Sequence, residues 1–166
     1  MPSFRELRRN SQAIPREECL AILDRNENGV LALLGDGDYP YAVPLNYVRT
    51  GERLFFHCAM EGHKIDAVRR HDKASFCVIV AAQLDAQAYT TRFRSVIAFG
   101  RVQLLNDAEA CARALEAIGD RFCPATPDQT RMEIRGALDH TAIIVFSMEH
   151  ISGKESRALA QERRSQ

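Results

Sequence analysis

A glycine and two cationic residues stand together at the predicted start of a helix. Glu61-Gly62-His63-Lys64 precedes a basic segment that runs to His71, with Ile65 and Val68 spaced as its apolar contacts. The first N–H groups of a helix have no partner inside the helix, so such a turn can bind a phosphate. A cation at a helix start is unfavourable with the helix dipole unless an anion is present. The pattern predicts a phosphate site, and a solvated helix start is the alternative.

A histidine lies shortly before this turn, in a segment (53–58) that alternates as a strand. Alternation places His57 with Phe55 on one face and Cys58 on the other, which argues against a Cys–His nucleophilic pair. Histidine can donate a proton near neutral pH. A buried or interface histidine is the favoured interpretation from the sequence alone. His57 and His63 have no carboxylate or cysteine at a familiar ligand spacing, so no metal site is predicted.

The strand before it, Tyr41 to Val48, also alternates. Val43 and Leu45 point one way, and Pro44 and Asn46 point the other. Because proline has no N–H to donate to a ladder, its nitrogen must lie at an edge, a bulge or a gap that faces a ligand.

Apolar runs and turn residues predict the elements that position these side chains. Asn28-Gly29 ends a first helix, Gly100 is a bulge in a long strand, and Asn106 caps a later helix. The near-continuous apolar run 74–82 predicts a strand buried on both faces. Six strands with a few helices are typical of a mostly antiparallel barrel. The strands are predicted at residues 30–34, 41–48, 53–58, 74–82, 90–105 and 141–148.

Composition limits the class of protein. The 166 residues suffice for one domain, predicted at 14–155, with an N-terminal arm at 1–13 and a charged tail at 156–166. Lys and Arg equal Asp and Glu at 22 each, which argues against general nucleic-acid binding. No run approaches the roughly 20 apolar residues of a membrane span. Five cysteines without a CxxC spacing, and no secretory signal, indicate a reducing cytoplasm.

Six short motifs occur in the order found in one protein family. Together they cover roughly residues 5–155 and resemble the FMN-binding split-barrel superfamily, that of pyridoxamine 5′-phosphate oxidase. Within it, the sequence is most similar to the nitroimidazole-resistance (Nim-type) proteins. The motifs are Val43-Pro44-Leu45-Asn46-Tyr47, His57-Cys58-Ala59, Gly62-His63-Lys64, Arg94-Ser95-Val96, Phe99-Gly100-Arg101-Val102 and Ile151-Ser152-Gly153-Lys154.

The resemblance implies a six-stranded antiparallel split β-barrel flanked by helices. It also implies a homodimer with FMN bound non-covalently between the subunits. In this scheme His57 is the catalytic proton donor beside the flavin, while Lys154 is interpreted as a tail charge. The FMN-binding residues that the resemblance implies are Val43, Pro44, Leu45, Asn46, His57, Cys58, Ala59, Gly62, His63, Lys64, Ser95 and Val96.

The activity implied by the resemblance is that of a flavin-dependent oxidoreductase. It would take a hydride from NAD(P)H and reduce a small molecule, a nitro-aromatic being the example that names the group. The arginine and lysine motifs with which pyridoxamine oxidases bind phosphates are missing, which argues against pyridoxamine phosphate oxidation. One alternative is a protein that holds FMN or a related anionic cofactor without turnover. A split barrel carrying a deazaflavin or haem is another.

Overall fold

The computed structural model describes residues 4–125, 127–137 and 140–165 of the chain. Short 3₁₀ turns lie at Asn10–Gln12 and Asp36–Asp38. The helices are α1 (Arg16–Arg25), α2 (His63–Arg70), α3 (Ala108–Phe122), α4 (Pro127–Ala137) and α5 (Arg157–Arg164). The strands are β1 (Ala13–Ile14), β2 (Asn28–Leu34), β3 (Pro40–Asn46), β4 (Val48–Thr50), β5 (Arg53–Ala59), β6 (Lys73–Asp85), β7 (Thr90–Leu104) and β8 (Thr141–Glu155).

All pairings are antiparallel, in the order β3-β2-β6-β7-β8-β5-β4, with β1 on β8. The two ends of this sheet, β3 and β4, are linked through Tyr47, so the sheet curls without closing. Cα atoms of β3 and β5 approach within 8 Å, but these strands do not pair. The prediction of a mostly antiparallel split barrel flanked by helices is confirmed. The six predicted strands are the long ones, and the short β1 and β4 raise the count to eight.

The inside of the barrel is filled by aromatic and aliphatic side chains. Tyr47, Phe56 and Phe76 are fully buried, and the rings of Tyr47 and Phe76 meet edge to face with 4.8 Å between centroids. The Tyr47 hydroxyl donates to the Leu23 carbonyl at 2.6 Å, which ties α1 to the barrel. This cluster holds the inner side chains of β3 and β5 in place.

A second apolar cluster lies on the outer side of β5 and β8, under α3. Phe55 and Ile143 pack there against Leu115 and Ile118. The Asp107 side chain caps α3 by accepting a hydrogen bond from the Ala110 N–H at 2.7 Å. The predicted cap, Asn106, is therefore wrong by one residue.

The outer side of β6 and β7 is not covered in the same way. Phe76 and Val78 are buried, but Ile79 on the same strand is 64% exposed, so the prediction of burial on both faces is wrong. Ile97 and Phe99 of β7 are also exposed on this side. We call the surface formed by Ile79, Ile97 and Phe99 the open face.

Two further local predictions can be compared with the structure. Helix α1 already ends at Arg25, so Asn28-Gly29 does not end it and instead begins β2. The bulge at Gly100 is confirmed, since the register with β8 shifts between Phe99 and Gly100. A Cβ atom at Gly100 would overlap the Ser147 carbonyl, so the strands approach too closely there for any other residue.

The charged C-terminal segment is joined to the barrel by a buried carboxylate. Glu155 is fully buried at the end of β8. It accepts hydrogen bonds from Arg94 of β7 and from Arg163 of α5, at 3.0 and 2.7 Å. Among the described helices, none is long and apolar enough to cross a membrane.

Candidate functional site

The turn between β5 and α2 presents unpaired backbone donors. Gly62 precedes the helix with φ at 115°, a conformation that favours glycine. Its carbonyl accepts from the N–H groups of Ile65 and Asp66. Within the described residues, the N–H groups of Gly62, His63 and Lys64 have no acceptor. A Cβ at Gly62 would meet no atom within 4 Å, so the space in front of the turn is open.

His63 fixes this turn to the neighbouring β2–β3 connection. Its ring stacks on Tyr41 with 4.1 Å between centroids. Its Nε2 accepts a hydrogen bond from the Asp36 N–H at 3.3 Å. The Asp36 carboxylate in turn pairs with Arg70 at 2.7 Å. Since Nε2 is already used as an acceptor, Nδ1 is the ring atom that remains to donate to a ligand.

Lys64 is a half-buried cation that makes no ion pair with any carboxylate of the described residues. Burial raises the pKa of the nearby Cys58 thiol, and the Lys64 charge opposes that increase. The ammonium group therefore lies near the end of β5. A half-buried ammonium group is more stable with an anionic partner than without one.

The split between β3 and β5 opens beside this turn. Val43 and Leu45 point inward and pack against the barrel core, while Pro44 and Asn46 are exposed on the outer side. Within the described residues, β3 pairs only with β2, so its second edge carries unpaired backbone groups. Pro44 therefore lies in an edge strand, one of the three locations that the sequence predicts for it.

His57 and Cys58 leave opposite faces of β5, as the alternation predicted. Cys58 packs against the barrel core, while His57 is exposed on the outer side. Ala59 is exposed next to them and pairs with Thr141 of β8. The structure thus brings β3, the end of β5 and the start of α2 together around one opening.

Ser95 and Val96 are not part of this grouping within one chain. Val96 is fully buried inside the barrel. Ser95 lies on the outer side, opposite Ile79 of β6 and Lys154 of β8. Ala59 pairs with Thr141 and Ser95 with Lys154, so the two lie thirteen positions apart along β8. That separation corresponds to roughly 40 Å of extended strand.

Sequence reasoning missed two residues that fix the β5–α2 turn, Tyr41 and Asp36. Tyr41 and Asp36 fix His63, and only the tertiary contact between α2 and the β2–β3 turn reveals it. The sequence predicts a tail charge for Lys154, whereas in the structure it is a residue of β8 with its ammonium 5.7 Å from the Phe93 ring centroid. The long alternation of β8 beyond Met148 was the available signal.

The sequence comparison decides the family. The family model for pyridoxamine 5′-phosphate oxidase matches residues 15–155. The chain belongs to this family. The expected membership is therefore confirmed, over nearly the whole barrel.

Three solved structures resemble this member of the pyridoxamine 5′-phosphate oxidase family. A Bacteroides thetaiotaomicron protein, described as a candidate 5-nitroimidazole antibiotic resistance protein, matches with a TM-score of 0.73 and 20% identity, covering 86% of this chain and 85% of that one. The flavocytochrome Anf3 of Azotobacter vinelandii matches with a TM-score of 0.80 and 24% identity, covering 92% of this chain and 72% of that one. The FAD and heme binding protein of Mycobacterium smegmatis matches with a TM-score of 0.76 and 25% identity, covering 89% of this chain and 74% of that one. Proteins described as flavin- or haem-binding therefore share this fold.

The residues of the β5–α2 turn fit a phosphorylated flavin. The turn carries three unpaired N–H groups and the Lys64 side chain, and the space in front of Gly62 is open, which suits an anion. The adjacent split offers backbone groups of β3 to a flat ring. In the described parts of the chain, no three His, Cys, Asp or Glu side chains cluster closely enough to hold a metal ion.

Proposed function

We propose that the protein binds FMN non-covalently and acts as a flavin-dependent oxidoreductase on a small molecule, with NAD(P)H as the electron donor. The observation that carries the proposal is the β5–α2 turn. There the N–H groups of Gly62, His63 and Lys64 and the ammonium of Lys64 have no partner in the described residues. When bound, the flavin supplies the redox chemistry, and the protein supplies binding and orientation.

Phosphate binding would use the turn, and ring binding would use the split. Gly62 leaves room for the phosphate, and Lys64 neutralises its charge. Val43, Pro44, Leu45 and Asn46 would present backbone groups to the ring edge, because β3 has no strand on that side. Cys58 and Ala59 would line the opposite wall of the split.

His57 is the proposed proton donor. It is exposed on the outer side of β5, two residues before that strand ends at Ala59. An imidazole there can deliver a proton to a reduced substrate near neutral pH. Cys58 takes no part in proton transfer, because its side chain points into the barrel.

A homodimer is proposed because the open face is apolar and adjoins Ser95, a predicted site residue far from Ala59 along β8. Exposed apolar patches of this kind mark protein interfaces. Ser95 lies on the same side as Ile79 and Ile97. Ser95, and Val96 through its backbone, lie far from Ala59 along β8 and would reach a flavin at the β5–α2 turn as residues of a second copy.

The β6–β7 hairpin also favours pairing with a second copy. Its tip carries Leu84 and Tyr89, which are 80% and 96% exposed. Leaving two large side chains in water is unfavourable by a few kcal/mol in total. A partner chain that covers this hairpin would remove that cost.

The visible absorbance spectrum of the purified protein tests the cofactor assignment. We expect a yellow protein whose released chromophore is FMN, together with a mass by gel filtration of twice the 18.7 kDa chain. A colourless protein that binds no added FMN would refute the proposal. If the released chromophore is FAD, a deazaflavin or haem, the assignment of the cofactor changes and the proposed site stands.

A second assay separates turnover from binding alone. Under anaerobic conditions, NADH or NADPH should bleach the flavin absorbance, and a nitroimidazole should restore it. If neither change occurs in a protein that carries FMN, the role is that of a cofactor-binding protein without turnover.

A further inference from the structure

A pocket lies against the β5–α2 turn on the side away from β3. Its volume is about 400 Å³, within the usual range for small-molecule sites. Thr141 and Ala142 form part of its wall, and they pair with Ala59 and Cys58 of the candidate site. The pocket and the split therefore share the end of β5 as a common boundary.

The pocket combines an apolar lining with one cation. Leu104, Leu105, Met60 and Cys111 supply aliphatic and sulfur-containing side chains. A thioether such as that of Met60 makes favourable contacts with aromatic rings. Burial raises the pKa of the Cys111 thiol, whose Sγ lies 3.6 Å from the Leu105 carbonyl, so this wall stays neutral. Such a lining suits a flat apolar ligand.

The polar side of the pocket is formed by Arg69 and Asn106. The only carboxylate paired with Arg69 in the described residues is Asp66, one turn away at 3.6 Å. Both side chains are mostly exposed, and exposed pairs of this kind contribute little. The guanidinium can therefore exchange Asp66 for a better-placed carboxylate, which it can bind with two parallel hydrogen bonds.

We propose that this pocket binds a small aromatic carboxylate, with the ring against Met60 and Leu105 and the carboxylate on Arg69. That this ligand is the substrate rests on the proposed function, whereas the binding itself does not. The place of the pocket next to Ala59 would bring such a molecule to the edge of the flavin site.

Methionine methyl signals can report the binding directly. The chain has four methionines, so a ¹H–¹³C spectrum with labelled methyl groups is simple, and Met60→Leu assigns the reporter signal. Benzoate added to the flavin-free protein should shift the methyl signal of Met60 and leave that of Met148, a residue of β8, unchanged. Benzamide, the neutral analogue of the same shape, should shift it far less.

Two neighbouring arginines provide a matched pair of variants. Arg69→Gln should weaken benzoate binding at least about tenfold, the scale of a hydrogen bond to a charged group. Arg70→Gln should not, because Arg70 pairs with Asp36 and does not line the pocket. No shift of Met60 at millimolar benzoate, equal binding of benzamide, or equal effects of the two variants would overturn the inference.

A separate FMN titration keeps this inference distinct from the proposed function. Arg69→Gln should bind FMN as the unchanged protein does. If FMN binds but benzoate does not, the pocket inference fails and the proposed function stands. If benzoate binds but FMN does not, the reverse holds. Loss of FMN binding in Arg69→Gln would assign Arg69 to the cofactor site and overturn the pocket inference.

Discussion

The phosphate assignment can be tested most directly at Lys64. Replacement by alanine removes the half-buried ammonium and leaves the N–H groups of Gly62 and His63 in place. The loss is then that of one hydrogen bond between charged groups, about 1.5–3 kcal/mol. This free energy corresponds to a roughly 10- to 150-fold increase in the FMN dissociation constant.

Flavin fluorescence quenching measures that constant, and two controls isolate the cause. Lys73→Ala removes the same charge from the exposed start of β6 and should change the constant little. Because Lys64 has no ion-pair partner in the described residues, Lys64→Ala should not lower the unfolding free energy of the flavin-free protein. An unchanged FMN dissociation constant in Lys64→Ala would show that the phosphate lies elsewhere.

Three further predictions use the same protein. His57→Ala should retain FMN, measured by its absorbance, but lower NAD(P)H-dependent turnover and change its pH profile; unchanged turnover would exclude proton donation by His57. Glu155→Ala should lower the unfolding free energy in urea by about 3 kcal/mol, since two arginines lose their buried partner, whereas the exposed Glu162→Ala should cost less than about 1 kcal/mol. Burial raises the pKa of the Cys19 thiol from 9.0 to about 11, so the thiol ionises more easily in the unfolded chain than in the folded one. Its contribution to the unfolding free energy, about 2–3 kcal/mol, is therefore full below pH 9 and is lost as the pH rises to 11. Cys19→Ala should remove that part of the decline in urea stability, and a parallel decline in both proteins would contradict it.

Local patterns predicted the barrel strands because each strand has one face in a core. The alternation of Val43 to Asn46 and of Phe55 to Cys58 follows directly from that burial. The apolar run around Ile79 predicts burial on both faces, but Ile79 is exposed on the outer side. An apolar run alone does not distinguish a strand buried on both faces from a strand with an exposed apolar side.

The site could be predicted only in part, for a similar reason. Gly62, His63 and Lys64 are adjacent in the sequence, so the helix start alone indicates a phosphate site. The contact between His63 and Tyr41 depends on how α2 packs, which spacing does not encode. Glu155 was assigned to the boundary of a tail, because a single carboxylate in a charged segment gives no sign of the two arginines that enclose it.

The separation of Ser95 from Ala59 along β8 has a consequence for genetics. If each flavin site uses Lys64 of one copy and Ser95 of the other, two defective alleles can restore each other. Mixing a Lys64→Ala chain with a chain altered at Ser95 would create a pair in which one site is doubly damaged and the other intact. Flavin binding that is recovered in that mixture, and absent from either variant alone, would then reveal a site built from two chains.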